Sequence, residues 1–201
     1  MDKKINSLAV VVLTRPCFIS ESNPQGINLP PWIPTLRRSI RQSSLSQIDA
    51  IKDSLLRIDG NDGFLPLQVQ SFEEKGRGVI ATRTILKDSF VCEYAGDLLS
   101  KLEGTQRMKG YALEGKGNYM FFFQHNNESF CIDATQESSR LGRLINHSRK
   151  NANLEPVALE FQGKATLVFL AARNIPAGAE LLYNYGENDP SVLSEFPFLK
   201  N

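Results

Sequence analysis

At 201 residues with 41% hydrophobic side chains, the chain is long enough for one globular domain plus an appendage and can bury a substantial core. A formal net charge of +1 excludes a strongly basic protein that coats nucleic acid. The charge is uneven, since residues 1–60 hold 8 Lys/Arg against 5 Asp/Glu and the remainder holds 15 against 17. A basic arm on a mildly acidic body suits a surface that meets a cationic partner, and suits a merely solvated surface equally well.

The chain opens with Met1-Asp2-Lys3-Lys4 and a short apolar run over residues 5–13. Asn6 and Ser7 interrupt that run and no small-residue cleavage site follows Thr14-Arg15-Pro16, so it does not read as a secretory signal. No stretch approaches the length that spans a bilayer. Residues 14–36 read as a linker, because Pro16, Pro24, Pro30, Pro31 and Pro34 deny the backbone both helix and ladder hydrogen bonds. Trp32 is a lone aromatic in this lead. Arg37, Arg38 and Arg41 form a basic cluster before a helix that Ser46 is placed to cap, with Asp49 at the capping-box position. Ile48, Ile51, Leu55 and Ile58 keep helical spacing, so the helix is expected to pack through this face, and Gly60 and Gly63 end it.

From Leu65 onward the period changes. Leu67–Gln70, Val79–Thr82, Phe90–Tyr94, Tyr119–Phe123, Phe130–Ile132, Leu154–Phe161 and Thr166–Ala171 read as strands, with Gly76 and Gly78 bracketing a turn. Only residues 100–113 offer a helical interlude. Many short strands between Gly, Asn and Pro turns predict a β-rich α+β body. Cys17, Cys92 and Cys131 are widely spaced with only His125 and His147 beside them, so no structural zinc site or disulfide framework is expected. They read as free thiols in a reducing compartment, with Cys92 and Cys131 in apolar strands where packing is their ordinary use.

Three motifs carry the chemistry: Lys75-Gly76-Arg77-Gly78, then Arg143-Leu144-Ile145-Asn146-His147-Ser148, then Glu180-Leu181-Leu182-Tyr183-Asn184-Tyr185-Gly186. Alone, the first is an ordinary hairpin turn and the second an ordinary loop. In this order, residues 65–187 resemble a SET domain, the catalytic unit of protein lysine methyltransferases, and within that family the enzymes that monomethylate histone H4 at lysine 20. The likeness extends through Arg37-Arg38-Ser39, Glu93-Tyr94-Ala95-Gly96-Asp97-Leu98 and residues 133–148, and covers about four-fifths of the chain. It implies four regions: a divergent lead at 1–35, a basic cluster and flanking helix at 36–64, the catalytic domain at 65–187 and an aromatic flank at 188–201. The implied fold is several small β-sheets around a C-terminal pseudoknot, with an N-terminal flanking helix.

The resemblance also implies roles. Methyl transfer from S-adenosylmethionine to an amine is an in-line displacement, which asks for alignment, water exclusion and an uncharged lysine nitrogen. Free lysine titrates at about 10.4, so burial beside a bound cation must disfavour its ammonium form. Phenols, backbone carbonyls and tight glycine turns suffice. Lys75, Gly76, Arg77 and Gly78 would form the first cofactor loop. Asn118 and Tyr119 would contact the cofactor, Asn146 would hydrogen-bond its methionine amine, and the His147 backbone would meet adenine under a Phe198 lid. Arg143 would order this segment or reach the cofactor carboxylate. Tyr185 would be catalytic, Tyr183 would limit the product to one methyl, and Tyr94 would complete the phenolic channel.

Departures from the family pattern are Asn118 in place of cysteine, Phe121 and Phe122 in place of tyrosines, and Phe196-Pro197-Phe198 in place of His-Pro-Trp. No cysteine follows Cys131, so the C-terminal end should close without metal. The expected partners are the histone H4 tail and the nucleosome, with Arg37, Arg38 and Arg41 touching nucleosomal DNA, no membrane, and a monomeric nuclear enzyme on chromatin. A methyltransferase for a different lysine, or a catalytically silent SET-like binding module, stays open on the residues alone.

Overall fold

Why Asn146 and Tyr185 share one site follows from how the strands are threaded. A computed structural model describes residues 45–73, 75–186, 194 and 197–200, with the backbone of a small antiparallel pair, β1 (Ser7–Leu8) and β2 (Thr35–Leu36). The basic cluster Arg37, Arg38 and Arg41, together with Cys17, Trp32, Phe196 and the Phe198 side chain, lies outside the described residues.

Helix α1 spans Leu45–Ile58. It starts two residues earlier than a Ser46 cap would place it, so Ser46 belongs to the first turn and is not the cap. Ile51, Leu55 and Ile58 recur on one face, and each is 4% exposed against Leu159 and Val168, with Phe90, Val157, Phe161 and Leu170 around them. Each such side chain contributes about 1.5–3 kcal/mol when buried. Past Ile58 the backbone turns through left-handed Asp59 and Gly60 into a 3-10 turn at Asp62–Phe64.

The hairpin β3 (Leu67–Phe72) and β4 (Gly76–Ala81) follows. Gly78 is not in the turn but inside β4, paired with Gln70. The reason is steric: a Cβ there would come within 2.5 Å of Asn146 Nδ2 and 2.8 Å of the Phe72 ring, so this strand position must be glycine to admit both.

Strand β5 (Phe90–Glu93) adds to β10 (Leu154–Phe161) and β11 (Lys164–Ala171), giving the order β10-β11-β5. A bulge pairs Phe169 with Cys92 but Leu170 with Phe90, leaving Val91 extra, and both Val91 and Cys92 reach the main core. Strands β6 (Asp97–Ser100), β7 (Met120–His125) and β8 (Glu128–Asp133) form a second sheet in the order β6-β8-β7. Helix α2 (Lys101–Leu113) covers it, opened by a capping box between Ser100 and Glu103.

Along β7, Met120 and Phe122 face α2 with Cys131, while Phe121 and Phe123 face the main core. Of the two phenylalanines that replace the family's tyrosines, the pleat therefore turns Phe122 toward α2 and only Phe121 stands with the buried phenols. Cys92 and Cys131 are buried free thiols, and burial pushes both well above the ordinary thiol range. No helix among the described residues is long and apolar enough to cross a membrane.

Candidate active site

The site is made where β12 (Leu182–Tyr183) lies parallel to β9 (Asn146–His147), with Leu182 opposite Asn146 and Tyr183 opposite His147. Neighbouring bonds hold the threaded segment on both sides. The Leu181 N–H donates to Val79 O at 2.8 Å, the Ser148 N–H to Tyr183 O at 3.1 Å and the Asn153 N–H to Leu182 O at 2.9 Å. Asn153 also binds with its side chain, accepting from Leu182 N at 2.9 Å and donating to Glu180 O at 2.8 Å. At the other side Gly142 packs so closely on the Glu93 carbonyl that no Cβ fits, which brings Tyr94 to the same place.

A cavity and a packed aromatic cluster meet here. The cavity, of about 360 Å³, is lined by Glu73, Lys75, Gly76, Arg77, Tyr119, Arg143, Leu144 and Asn146. Asn146 Nδ2 donates to Arg77 O at 3.3 Å and to Glu180 Oε1 at 3.1 Å, while Lys75 Nζ donates to Glu180 Oε2 at 2.7 Å. Arg143 is 3% exposed; its Nε donates to Ala134 O at 2.7 Å and its guanidinium lies 3.8 Å from the Tyr119 ring centroid. Arg143 Nη1 meets Glu137 Oε2 at 2.9 Å as an ion pair without hydrogen-bond alignment. Arg77 grips Glu137 with two bonds of 2.9 and 3.0 Å, and these hold the Glu137 carboxyl down at about 2.

Beside the cavity is a packed aromatic cluster. Tyr94, Phe121, Phe169, Tyr183 and Tyr185 are all 3% exposed or less. Tyr183 lies 4.6 Å from Tyr185, 4.8 Å from Phe169 and 5.8 Å from Phe121 between ring centroids. Tyr185 donates its hydroxyl to Ile145 O at 3.0 Å, and Tyr94 donates to Tyr119 O at 3.1 Å. Burial pushes the Tyr94 and Tyr183 phenols well above their ordinary range, so both stay protonated. Tyr119 and the Ile145–Asn146 peptide thus lie between the cavity and the phenols.

Of the ten residues assigned to the cofactor, the structure puts Lys75, Gly76, Arg77, Tyr119, Arg143 and Asn146 on the cavity wall. Gly78 stands behind Asn146. Asn118 is half-buried in the segment just before Tyr119, and it is not among the lining residues. The His147 ring, unlike the backbone assigned to adenine, has partners of its own: Nδ1 accepts from the Tyr185 N–H at 3.0 Å, so the proton sits on Nε2, which donates to Leu199 O at 3.1 Å. Three residues went unassigned in the sequence: Glu180, Glu137 and Phe169. Glu180 sits in the quoted motif, so position alone marked it, but its partners lie far away in the chain.

His147 carries a pH prediction. Burial lowers its pKa to about 4, and burial also lowers that of His125. The unfolded chain therefore binds more protons between about pH 6.5 and pH 4, and stability falls with acidification across that window. Asp62, whose carboxyl burial pushes up, works in the opposite sense at the acid end. Thermal melts should be level from pH 8 to 7 and drop by several degrees towards pH 4.5; a level melting temperature throughout would contradict a neutral buried imidazole.

Comparison with known proteins gives this arrangement its family. Residues 76–186 match the SET domain, and the chain belongs to the SET domain family. Among its relatives is the N-lysine methyltransferase KMT5A-A of Danio rerio, 42% identical over 170 residues that make up 83% of this chain and 48% of that protein. The histone-lysine N-methyltransferase set-1 of Caenorhabditis elegans is 38% identical over 171 residues, 83% of this chain and 69% of that one. The chain spans about half the length of the vertebrate relatives it matches. The crystal structure of CpSET8 from Cryptosporidium superposes with a TM-score of 0.64 at 38% identity, covering 77% of this chain and 71% of that one.

Proposed function

We propose that this protein transfers a single methyl group from S-adenosylmethionine to lysine 20 of histone H4 on the nucleosome, acting on chromatin in the nucleus. The observation that carries the reading is the parallel pairing of Asn146–His147 with Leu182–Tyr183, which sets a polar cavity and a cluster of buried phenols on two sides of the Ile145–Asn146 peptide. The chemistry of the cavity suits the donor. Lys75, Arg77 and Arg143 can hold a carboxylate, the Asn146 carbonyl can accept from an ammonium, and Gly78 has no Cβ to obstruct that amide. When bound, S-adenosylmethionine would supply an electrophilic methyl group on a sulfonium.

The chain's own residues do the rest. Tyr94, Phe121, Phe169 and Tyr183 form a buried aromatic cluster, and a lysine side chain entering beside it would be favoured as the neutral amine. The Tyr185 hydroxyl donates to Ile145 O, which orients the phenol oxygen where it could stabilise positive charge developing beside the amine. Tyr183 fills the remaining space and limits the product to one methyl. Arg37, Arg38 and Arg41 would add contacts to nucleosomal DNA.

Labelled donor incubated with nucleosomes carrying lysine or arginine at H4 position 20 tests the reading. Label should enter only the lysine form, as one methyl per tail. Equal labelling of both forms would move the target to another lysine. Donor binding without labelling of either would favour a silent binding module.

A further inference from the structure

Glu180 takes part in no chemistry assigned so far, yet it makes two of the bonds that shape the cavity. Its side chain is 15% exposed, with Oε2 2.7 Å from Lys75 Nζ and Oε1 accepting from Asn146 Nδ2 at 3.1 Å. Asn146 is 6% exposed, and both hydrogens of its amide are used, one by Glu180 and one by the Arg77 carbonyl at 3.3 Å. Turning the amide over would set Oδ1 against a carboxylate and a carbonyl, two acceptors with no hydrogen between them. The amide therefore has one orientation. Its Oδ1 is turned away from both acceptors and remains the accepting group for whatever fills the cavity that Asn146 lines.

We propose that Glu180 is a positioning residue for the methyl donor: it fixes the Asn146 amide so that Oδ1 accepts from the donor's α-ammonium, and Lys75 neutralises Glu180 so that its charge does not draw the ammonium to itself. This rests on the donor-pocket reading above. The Arg77 carbonyl bond is the longer of the two and does not by itself hold the amide against rotation. Removing Glu180 leaves Asn146 free to present its NH₂ to a cation, which costs the acceptor and adds a repulsion.

The test measures donor affinity by calorimetry for wild type, Glu180→Gln and Glu180→Ala, with S-adenosylmethionine and with its analogue lacking the α-amino group. Glu180→Ala should weaken S-adenosylmethionine at least about tenfold and leave the deaminated analogue within about twofold. Glu180→Gln keeps a carbonyl acceptor for Asn146 and should stay within about threefold of wild type. With saturating donor, kcat of Glu180→Ala should return to near the wild-type value, since the loss is in binding. Should Glu180→Ala fail to fold, Glu180→Met keeps the stem and the same comparison decides. Equal weakening of both ligands would reduce Glu180 to a structural brace and overturn the proposal. So would Glu180→Gln binding as poorly as Glu180→Ala, which would mean direct contact between carboxylate and ammonium. Wild-type protein that binds neither ligand would defeat the donor-pocket reading itself.

Discussion

Tyr185→Phe should lower kcat by about 100-fold or more while leaving donor affinity and the fold nearly unchanged, an effect of the size seen when a single donor or acceptor is removed from a preorganised site. The change deletes one oxygen. Ring packing survives, because the contacts at 4.6 Å with Tyr183 and 4.9 Å with His147 belong to the ring. So does the backbone bond to His147 Nδ1. The Ile145 carbonyl loses its partner, which costs about 1 kcal/mol of stability and a few degrees of melting temperature. What disappears is an oxygen already oriented by its bond to Ile145 O, so that it needs no reorganisation during the reaction. Single-turnover rates on nucleosomes, read beside thermal melts, separate the two effects. A Tyr185→Phe enzyme that turns over at the wild-type rate removes Tyr185 from the chemistry.

Much of the frame was legible in local pattern, and the reasons differ by element. Helix α2 and β10 match the residues read from sequence because each carries its own signals: a capping box at Ser100 and Glu103 for one, an uninterrupted run bounded by turn residues for the other. The α1 face was legible because Ile51, Leu55 and Ile58 repeat at helical spacing. Strands β9 and β12 were not legible as strands. Each is two residues long, and each exists only because the chain threads back to meet the other, a non-local event that no period records.

The residues that sequence reasoning misplaced share one physical cause: their surroundings come from distant parts of the chain. Met120-Phe121-Phe122-Phe123 is apolar on both faces because α2 covers one side and the main core the other, so alternation could not say which phenylalanine reaches the channel. Gly78 read as a turn glycine, since the demand on it comes from Asn146 and not from its own backbone angles. Glu180 meets Lys75 across 105 residues and Asn146 across 34. The three motifs are brought together in space, but which atoms face each other was decided by the threading.

Tyr183→Phe should change the product from monomethyl-lysine to mainly dimethyl-lysine on the same substrate. Tyr183 is enclosed by rings on three sides, Phe121, Phe169 and Tyr185, and burial keeps its phenol protonated and uncharged. For a second transfer, a monomethylated amine must turn its methyl aside to aim its lone pair at the donor, and the space it needs is that of about one small group. With the phenol oxygen in place that space is filled. Phenylalanine at 183 opens it without disturbing the ring stack.

The Phe121 wall makes the prediction sharper, because it carries no hydroxyl that could take over the lost contact. A difference of one methyl in an apolar pocket is worth about 1–3 kcal/mol, so the ratio of dimethyl to monomethyl product should rise by about 10- to 200-fold. Mass spectrometry of H4 tails after exhaustive reaction reads that ratio directly. If the variant still stops at one methyl, the limit on product lies with Phe121, Phe169 or the approach of the substrate, and the oxygen of Tyr183 is not what enforces it.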